Sequence, residues 1–237
     1  MNIVVLMAGK STAFAEKGYM YPKYLLDYKG QPIIQSVVQS LRPLYADLSF
    51  VIRKDDDEKA FIASSLQILA PQAHIYKVAH DTKGAVCSAL FAIDSINTDD
   101  ELLIINGDQL LQCDIAKAID SFRAQDMQGG LIVFRSVLPQ WSFVALDENG
   151  LVCETSEKRP ISDLATAGCY WYKHGKNFVQ AAYNIIRKDE NHNGNYYICS
   201  TYNELILNQK QIGVYEIAAE NYLSFATPQL YEENKRK

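Results

Sequence analysis

Gly9-Lys10-Ser11-Thr12, reached from the apolar run Ile3-Val4-Val5-Leu6-Met7 through Ala8, is the densest chemistry near the start of the chain. A glycine lets the backbone approach a ligand closely, and cations and hydroxyls such as those of Lys10, Ser11, Thr12, Lys17 and Lys23 are the groups that hold phosphate oxygens. A lone surface lysine is ordinarily just solvated, so the stretch gains meaning only from company elsewhere in the chain. Asn106-Gly107-Asp108-Gln109 sets a carboxylate just past the apolar run Leu102-Leu103-Ile104-Ile105, where open α/β sheets present groups to their ligands. Asp81-Thr82-Lys83-Gly84-Ala85 precedes an apolar spacing of helical period, so its free amides can meet polar atoms of a ligand. Each has a plainer reading, as a surface lysine, a turn cap or a helix cap. Glu157-Lys158 likewise reads as an exposed ion pair contributing almost nothing.

The elements that must position these residues follow from periodicity. Short apolar runs rich in Val, Ile and Leu predict buried strands at 3–7, 48–52, 74–78, 102–105 and 131–134. Ile33, Ile34, Val37, Val38 and Leu41 form a helical stripe with Pro32 suited to its first turn. Lys54-Asp55-Asp56-Asp57-Glu58 reads as a solvated turn into a helix rather than a metal site. Further helices are expected from Val86 and from near Asp114. Beyond residue 135 the alternation breaks: 142–146 and 151–154 predict a hairpin around Asn149-Gly150. A strand at 165–171 containing Gly168, helices at 177–187 and 201–208, a late strand at 213–217 and a frayed tail at 232–237 complete the expectation. No linker divides the chain, so one domain is expected over 1–237, with 1–135 as the nucleotide-binding part and 136–237 as the acceptor-binding part.

Composition sets limits. The 237 residues are 48% hydrophobic and 22% charged, as in an ordinary globular protein with a large core. A net charge of −5 argues against a nucleic-acid partner. No apolar run approaches the ~20 residues of a membrane span, and no basic region precedes the first apolar residues, so neither a membrane partner nor a signal peptide is expected and the cytoplasm is. The five cysteines (Cys87, Cys113, Cys153, Cys169, Cys199) contain no C-x-x-C pair, and the four histidines stand apart, so no zinc or redox site is expected. Tyr19, Trp141, Tyr170 and Trp171 are candidates to line a pocket, with core packing the plainer alternative.

The order of these pieces resembles the sugar-phosphate nucleotidyltransferases, in particular bacterial capsule- and lipopolysaccharide-type members whose opening reads M-A-G-x-G-S-R-F, then G-Y-x-x-P-K and a leucine pair. Here the stretch is Met7-Ala8-Gly9-Lys10-Ser11-Thr12-Ala13-Phe14, Gly18-Tyr19, Pro22-Lys23, Leu25-Leu26. The resemblance implies a three-layer αβα, Rossmann-like (GT-A-like) single domain with a mostly parallel mixed sheet. It implies transfer of a nucleoside monophosphate from a nucleoside triphosphate (NTP) to a phosphorylated acceptor, a sugar phosphate or similar small molecule, with release of pyrophosphate, for surface polysaccharide biosynthesis. By the same resemblance, Leu6, Ala8, Gly9, Lys10, Ser11, Thr12, Lys23, Thr82, Gly84 and Ala85 form the nucleotide site. Asp108, Gln109, Glu157, Lys158 and Gly168 form the acceptor site, Lys23 and Asp108 are catalytic, and Asp108 binds Mg²⁺. Oligomeric state, a homo-oligomer included, is left open.

The chain departs from that pattern where the family has its second loop glycine and its arginine, here Ser11 and Ala13. Glycine admits a positive φ, and arginine is a two-pronged donor that Lys10 or Lys17 replaces only in part. Near the C-terminus, Ser224 stands where many relatives carry a second metal carboxylate. Two readings follow: a working nucleotidyltransferase with an altered triphosphate grip, or a non-catalytic binder of nucleotides or nucleotide sugars on the same fold. A metal-dependent glycosyltransferase would want a second carboxylate in Asp108-Gln109-Leu110.

Overall fold

Val, Ile and Leu in an uncharged run can form a strand only where both faces of the sheet are covered. In the computed structural model, which describes residues 1–237, Ile3, Val5 and Met7 of the first strand enter one hydrophobic core while Val4 and Leu6 enter a second. Two cores separated by one sheet make three layers.

The strands are β1 (Asn2–Met7), β2 (Asp27–Tyr28), β3 (Gln31–Pro32), β4 (Asp47–Arg53), β5 (His74–Val78), β6 (Leu102–Asn106), β7 (Gln109–Leu111), β8 (Gly129–Arg135), β9 (Ser142–Leu146), β10 (Val152–Glu157), β11 (Leu164–Tyr172), β12 (Ile212–Glu216) and β13 (Tyr222–Ser224). The helices are α1 (Thr12–Glu16), α2 (Ile33–Leu41), α3 (Lys54–Ala60), α4 (Ile62–Leu69), α5 (Ala85–Ala89), α6 (Ile93–Ile96), α7 (Ile115–Ala124), α8 (Gly175–Arg187), α9 (Thr201–Leu207) and α10 (Pro228–Asn234). The main sheet has nine strands in the order β10-β9-β11-β6-β1-β4-β5, with β8 against β11 and β12 against β8. Strands β6, β1, β4 and β5 run parallel, so loops 8–11, 79–84 and 107–108 all emerge at one edge. From β6 outward the pairing turns antiparallel, through β11 to β8 and β9. No helix is long and apolar enough to cross a membrane.

β11 is shared between neighbours and kinks to serve them. Its register against β8 shifts between Thr166 and Tyr170, a bulge at whose centre Gly168 takes φ +59°. A Cβ there would lie 2.2 Å from Gln109 Oε1, so only glycine fits. Gln109 Nε2 donates to the carbonyls of Ala167 (2.7 Å) and Gly168 (2.9 Å), pinning the bulge.

Several expectations are corrected. The acidic run is the helix α3 itself, and Asp57 is engaged by Lys77 at 2.7 Å and by the Ala63 amide at 2.7 Å. The hairpin exists, but its loop runs Asp147 to Leu151, with the Asp147 carboxylate accepting from the amides of Asn149 and Leu151 and only Gly150 left-handed. The tail is not frayed through Asn234, because α10 docks on the core by Tyr231, and Asn234 Nδ2 donates to Ser224 O at 2.9 Å. Tyr19 and Trp171 are packing groups. Tyr19 meets Phe14 and Tyr231 edge-on and donates to Glu232, which pushes the tyrosine up to about 12, and Trp171 stacks on Phe122 in the core.

Candidate active site

The parallel strand ends and the kinked β11 enclose a cleft of about 600 Å³. Leu6, Ala8, Gly9 and Lys10 line it from the loop after β1, Thr82, Gly84 and Ala85 from the segment before α5, and Asp108 and Gln109 from the turn after β6. Glu157, Lys158 and Gly168 line it from the antiparallel half, beside Trp141 and Tyr170. Twelve of the residues singled out as site residues from sequence thus share one concavity, which is what a single two-substrate site requires.

Beneath Gly9 lies the pair that sets the site's charge. Lys23 is only 6% exposed, and its ammonium lies 2.6 Å from Asp108 Oδ2. Burial pushes the Lys23 ammonium down, but the facing Asp108 carboxylate outweighs it, so its pKa stands above the ordinary lysine value. A Cβ at residue 9 would come within 3.2 Å of Lys23 Nζ and 3.3 Å of the Tyr24 hydroxyl. Gly9 is therefore small because this lysine is packed against it. Lys23 does not itself line the cleft; its charge acts from beneath the floor while Asp108 faces the opening.

Ser11 and Thr12 also lie off the cleft wall. Ser11 has φ −104°, so the loop at this position makes no use of the left-handed backbone a glycine would permit. Its hydroxyl accepts the Lys23 amide at 3.2 Å, bracing the lysine from behind. Thr12 begins α1 and is exposed, as are Ala13 and Lys17. Lys17 therefore does not stand in for a loop arginine. The guanidinium that does reach the cleft is Arg53, at the end of β4, which sequence reading missed. It donates to Asp81 Oδ1 at 2.8 Å, and Lys10 reaches Asp81 Oδ2 at 2.5 Å. Its signal was available: the last residue of a parallel strand in this sheet points toward the ligand edge.

Gly84 joins the two halves of the chain. It has φ +95°, and a Cβ would lie 2.5 Å from the Tyr196 carbonyl oxygen. The Val86 amide donates to Tyr196 O and the Tyr196 amide to Lys83 O, so the 192–197 loop is hydrogen-bonded directly onto this turn. Backbone meets backbone here, leaving no room for a side chain. Tyr197, carried by that loop, and Tyr222, from β13, are further lining residues that sequence reading missed. Both come from elements too short or irregular to show a period.

On the acceptor side Glu157 is partly buried, accepting hydrogen bonds from Ser142 Oγ and Cys199 Sγ. Burial pushes its carboxyl above the ordinary value, opposed by those hydrogen bonds and by the charges of Lys158 and His192. Lys158 extends over the Tyr197 ring, 5.3 Å from its centroid, and donates to the Tyr197 hydroxyl at 3.3 Å. Gln109 touches the cleft, but its amide nitrogen is committed to the β11 bulge.

The α/β sheet, its glycine loop and the lysine–carboxylate pair at the strand ends define a protein of the nucleotidyltransferase class. Residues 3–138, more than half of the chain, match the MobA-like NTP transferase domain, and the chain belongs to that family. Among curated proteins it is similar to the bifunctional protein GlmU of Methanococcus aeolicus, 25% identical over 178 residues. That match takes in 73% of this chain but 40% of the relative. Among solved structures, the nucleoside-diphosphate-sugar pyrophosphorylase from Vibrio cholerae RC9 superposes with a TM-score of 0.84 at 25% identity, covering 99% of this chain and all of that one. A UDP-glucose pyrophosphorylase complexed with UDP-glucose superposes at 0.75 with 16% identity, covering 99% and 97% of the two chains, a likeness of fold alone.

Proposed function

We propose that this protein is a nucleotidyltransferase that joins a nucleoside monophosphate from an NTP to a phosphorylated small-molecule acceptor and releases pyrophosphate. The observation that carries the reading is the Lys23–Asp108 pair at the junction of β1 and β6, between a backbone-lined half of the cleft and a side-chain-lined half. The nucleophile, a phosphate oxygen of the acceptor, is already an anion at neutral pH, so no general base is needed. What is needed is to hold two repelling anions in line and to offset their charge. Gly9, Gly84 and the adjacent amides offer a close approach to the nucleotide, Lys10 and Arg53 lie at the cleft mouth as cations for the triphosphate, and Lys158 takes the acceptor phosphate. Lys23 adds positive charge from beneath Gly9 and holds Asp108 in place.

A divalent cation fits the residues present. No group of three or more His, Cys, Asp or Glu side chains converges anywhere in the structure, so there is no all-protein cage. Asp108 is the cleft carboxylate at the end of β6, between the two halves, and one carboxylate with substrate phosphates is how Mg²⁺ is commonly held. Mg²⁺ at Asp108 would neutralise charge on the transferring phosphoryl group. The likeness to capsule- and lipopolysaccharide-type enzymes supports a role in supplying activated precursors for surface polysaccharide, made in the cytoplasm where NTPs are available.

The test is pyrophosphate release with each of the common NTPs, Mg²⁺ and a panel of phosphorylated acceptors. One donor and acceptor pair should turn over, and Asp108→Asn and Lys23→Gln should each lower the rate on the order of a hundredfold or more. Nucleotide binding without turnover for any pair would establish the non-catalytic binder instead, the reading favoured by the exposed Ala13 where the family has arginine.

A further inference from the structure

The two cations at the cleft mouth are not free. Lys10, from the loop after β1, and Arg53, at the end of β4, are both held by one carboxylate, Asp81, from the loop after β5. Asp81 Oδ2 lies 2.5 Å from the Lys10 ammonium and Oδ1 lies 2.8 Å from Arg53 Nη1, so the two oxygens of one anion span two cations. Strands β1, β4 and β5 are neighbours in the sheet. The bridge therefore runs across three successive strand ends, and all three side chains line the cleft. Hydrogen bonds from Lys10 and Arg53, with their charge, hold the Asp81 carboxyl below its ordinary value, so it is an anion at neutral pH.

The members of this bridge differ in how firmly they are fixed. The Arg53 side chain is 15% exposed, whereas those of Asp81 and Lys10 are 51% and 60% exposed. Arg53 also feels the carboxylates of Asp55, 3.7 Å from Nη2, and of Asp56, so it keeps counter-charge when Asp81 leaves. An exposed ion pair contributes little to stability, and its side chains turn away at small cost. Phosphate matches the arginine fork as well as a carboxylate does, and a chain of phosphates carries several charges against the single charge of Asp81. A polyphosphate can thus take both cations from Asp81. A ligand of low charge meets the repulsion of a carboxylate that stays in place.

We infer that Asp81 is a displaceable stand-in for phosphate at the cleft mouth, which selects ligands by their number of phosphates and promotes pyrophosphate release by reclaiming Lys10 and Arg53. The inference rests on the transferase reading above and concerns selectivity and release at that same site. No covalent step is added. Asp81 exchanges one set of ionic hydrogen bonds for another and keeps its charge throughout, acting through the two cations as a positioning residue.

Calorimetry of the full chain with inorganic phosphate, pyrophosphate and tripolyphosphate tests this, first with metal removed by a chelator and then with Mg²⁺. These probes carry no base and need no acceptor. Asp81→Asn should bind tripolyphosphate on the order of tenfold more tightly than wild type, with a smaller gain for pyrophosphate and the least for phosphate. Asp81→Glu, which can rebuild the bridge, should stay close to wild type. Asp55→Asn removes the same charge beside Arg53 without opening the bridge and should give a clearly smaller gain. Tripolyphosphate affinity unchanged or weakened in Asp81→Asn would overturn the inference, and weakening with Mg²⁺ alone would assign Asp81 to the metal instead. A gain in Asp55→Asn as large as in Asp81→Asn would overturn it too, since net charge would then account for the effect, as would tripolyphosphate binding to neither Asp81→Asn nor wild type. In turnover assays the pyrophosphate inhibition constant should fall in Asp81→Asn by the same factor as its affinity rises. Turnover with polyphosphate binding unaltered by Asp81→Asn would overturn this inference and leave the transferase reading standing. Tightened binding, with no turnover for any donor and acceptor pair, would do the reverse.

Discussion

On its nucleotide side the cleft is walled by Leu6, Ala8, Gly9, Gly84 and Ala85, which offer mainly backbone, with the charged Lys10, Arg53 and Asp81 beside them, whereas the acceptor side offers Trp141, Glu157, Lys158, Tyr170 and Tyr222. The first wall sits on parallel strands whose ends are fixed by the sheet. The second is gathered from a hairpin, a kinked strand, a loop and a three-residue strand. A backbone wall recognises what is common to a class of ligands and tolerates no added atom. A side-chain wall can change its ligand by changing a residue. Substitutions on the two sides should therefore fail differently, the first through folding and the second through selectivity.

The largest expected effect tests the backbone wall. Gly84→Ala places a methyl 2.5 Å from the Tyr196 carbonyl oxygen at a left-handed backbone position. Strain and forced separation of the two loops should cost about 3 kcal/mol or more, read as a drop in the urea midpoint. If stability is unchanged, the 192–197 loop is not clamped by this turn. Next comes the floor. Lys23→Ala leaves Asp108 and Asp108→Ala leaves Lys23 as a largely buried charge without its partner, and each should cost about 3 to 5 kcal/mol, while the double replacement Lys23→Met with Asp108→Leu should cost much less than the sum. Additive losses in such a cycle would mean that the two charges do not depend on each other.

The smallest effect lies on the acceptor wall and concerns pH. Burial raises the Glu157 carboxyl, against Ser142, Cys199, Lys158 and His192. The folded state then holds this proton more tightly than the unfolded one, so the contribution of Glu157 is most favourable below its unfolded value of about 4.3. That contribution declines as pH rises through the raised folded value. Glu157→Gln should therefore gain stability relative to wild type as pH rises from the acid side toward neutrality, measured by denaturant midpoints at a series of pH values. A difference that does not vary with pH would show that the carboxylate is not held apart from solvent.

Legibility followed the same division. The parallel strands, the α2 stripe and the β9–β10 hairpin are readable because period and turn chemistry are local, and the strand-end rule points to Asp108 from sequence alone. Arg53 obeys that same rule, but a lone arginine beside an acidic run carries no local sign that it faces a ligand. Tyr197 and Tyr222 were not readable in any local sense, since a loop and a three-residue strand carry no period. The C-terminal helix was hidden too. Its burial depends on Tyr231 meeting Phe14, Tyr19 and Phe225, residues from both ends of the chain.

The sequence by itself determined the layered α/β plan, the order of its units and the residue types at the strand ends, because hydrophobic period, glycine and proline act over a few neighbouring residues. Only the tertiary structure decided which of those residues share a cleft. It moved Lys23 from a surface loop to a buried pair with Asp108, took Ser11 off the cleft wall to brace that lysine, and set Glu157 against Ser142 and Cys199 on the far side of the cleft. Those outcomes rest on distances between segments tens to hundreds of residues apart, set by how the sheet twists and what its two cores exclude.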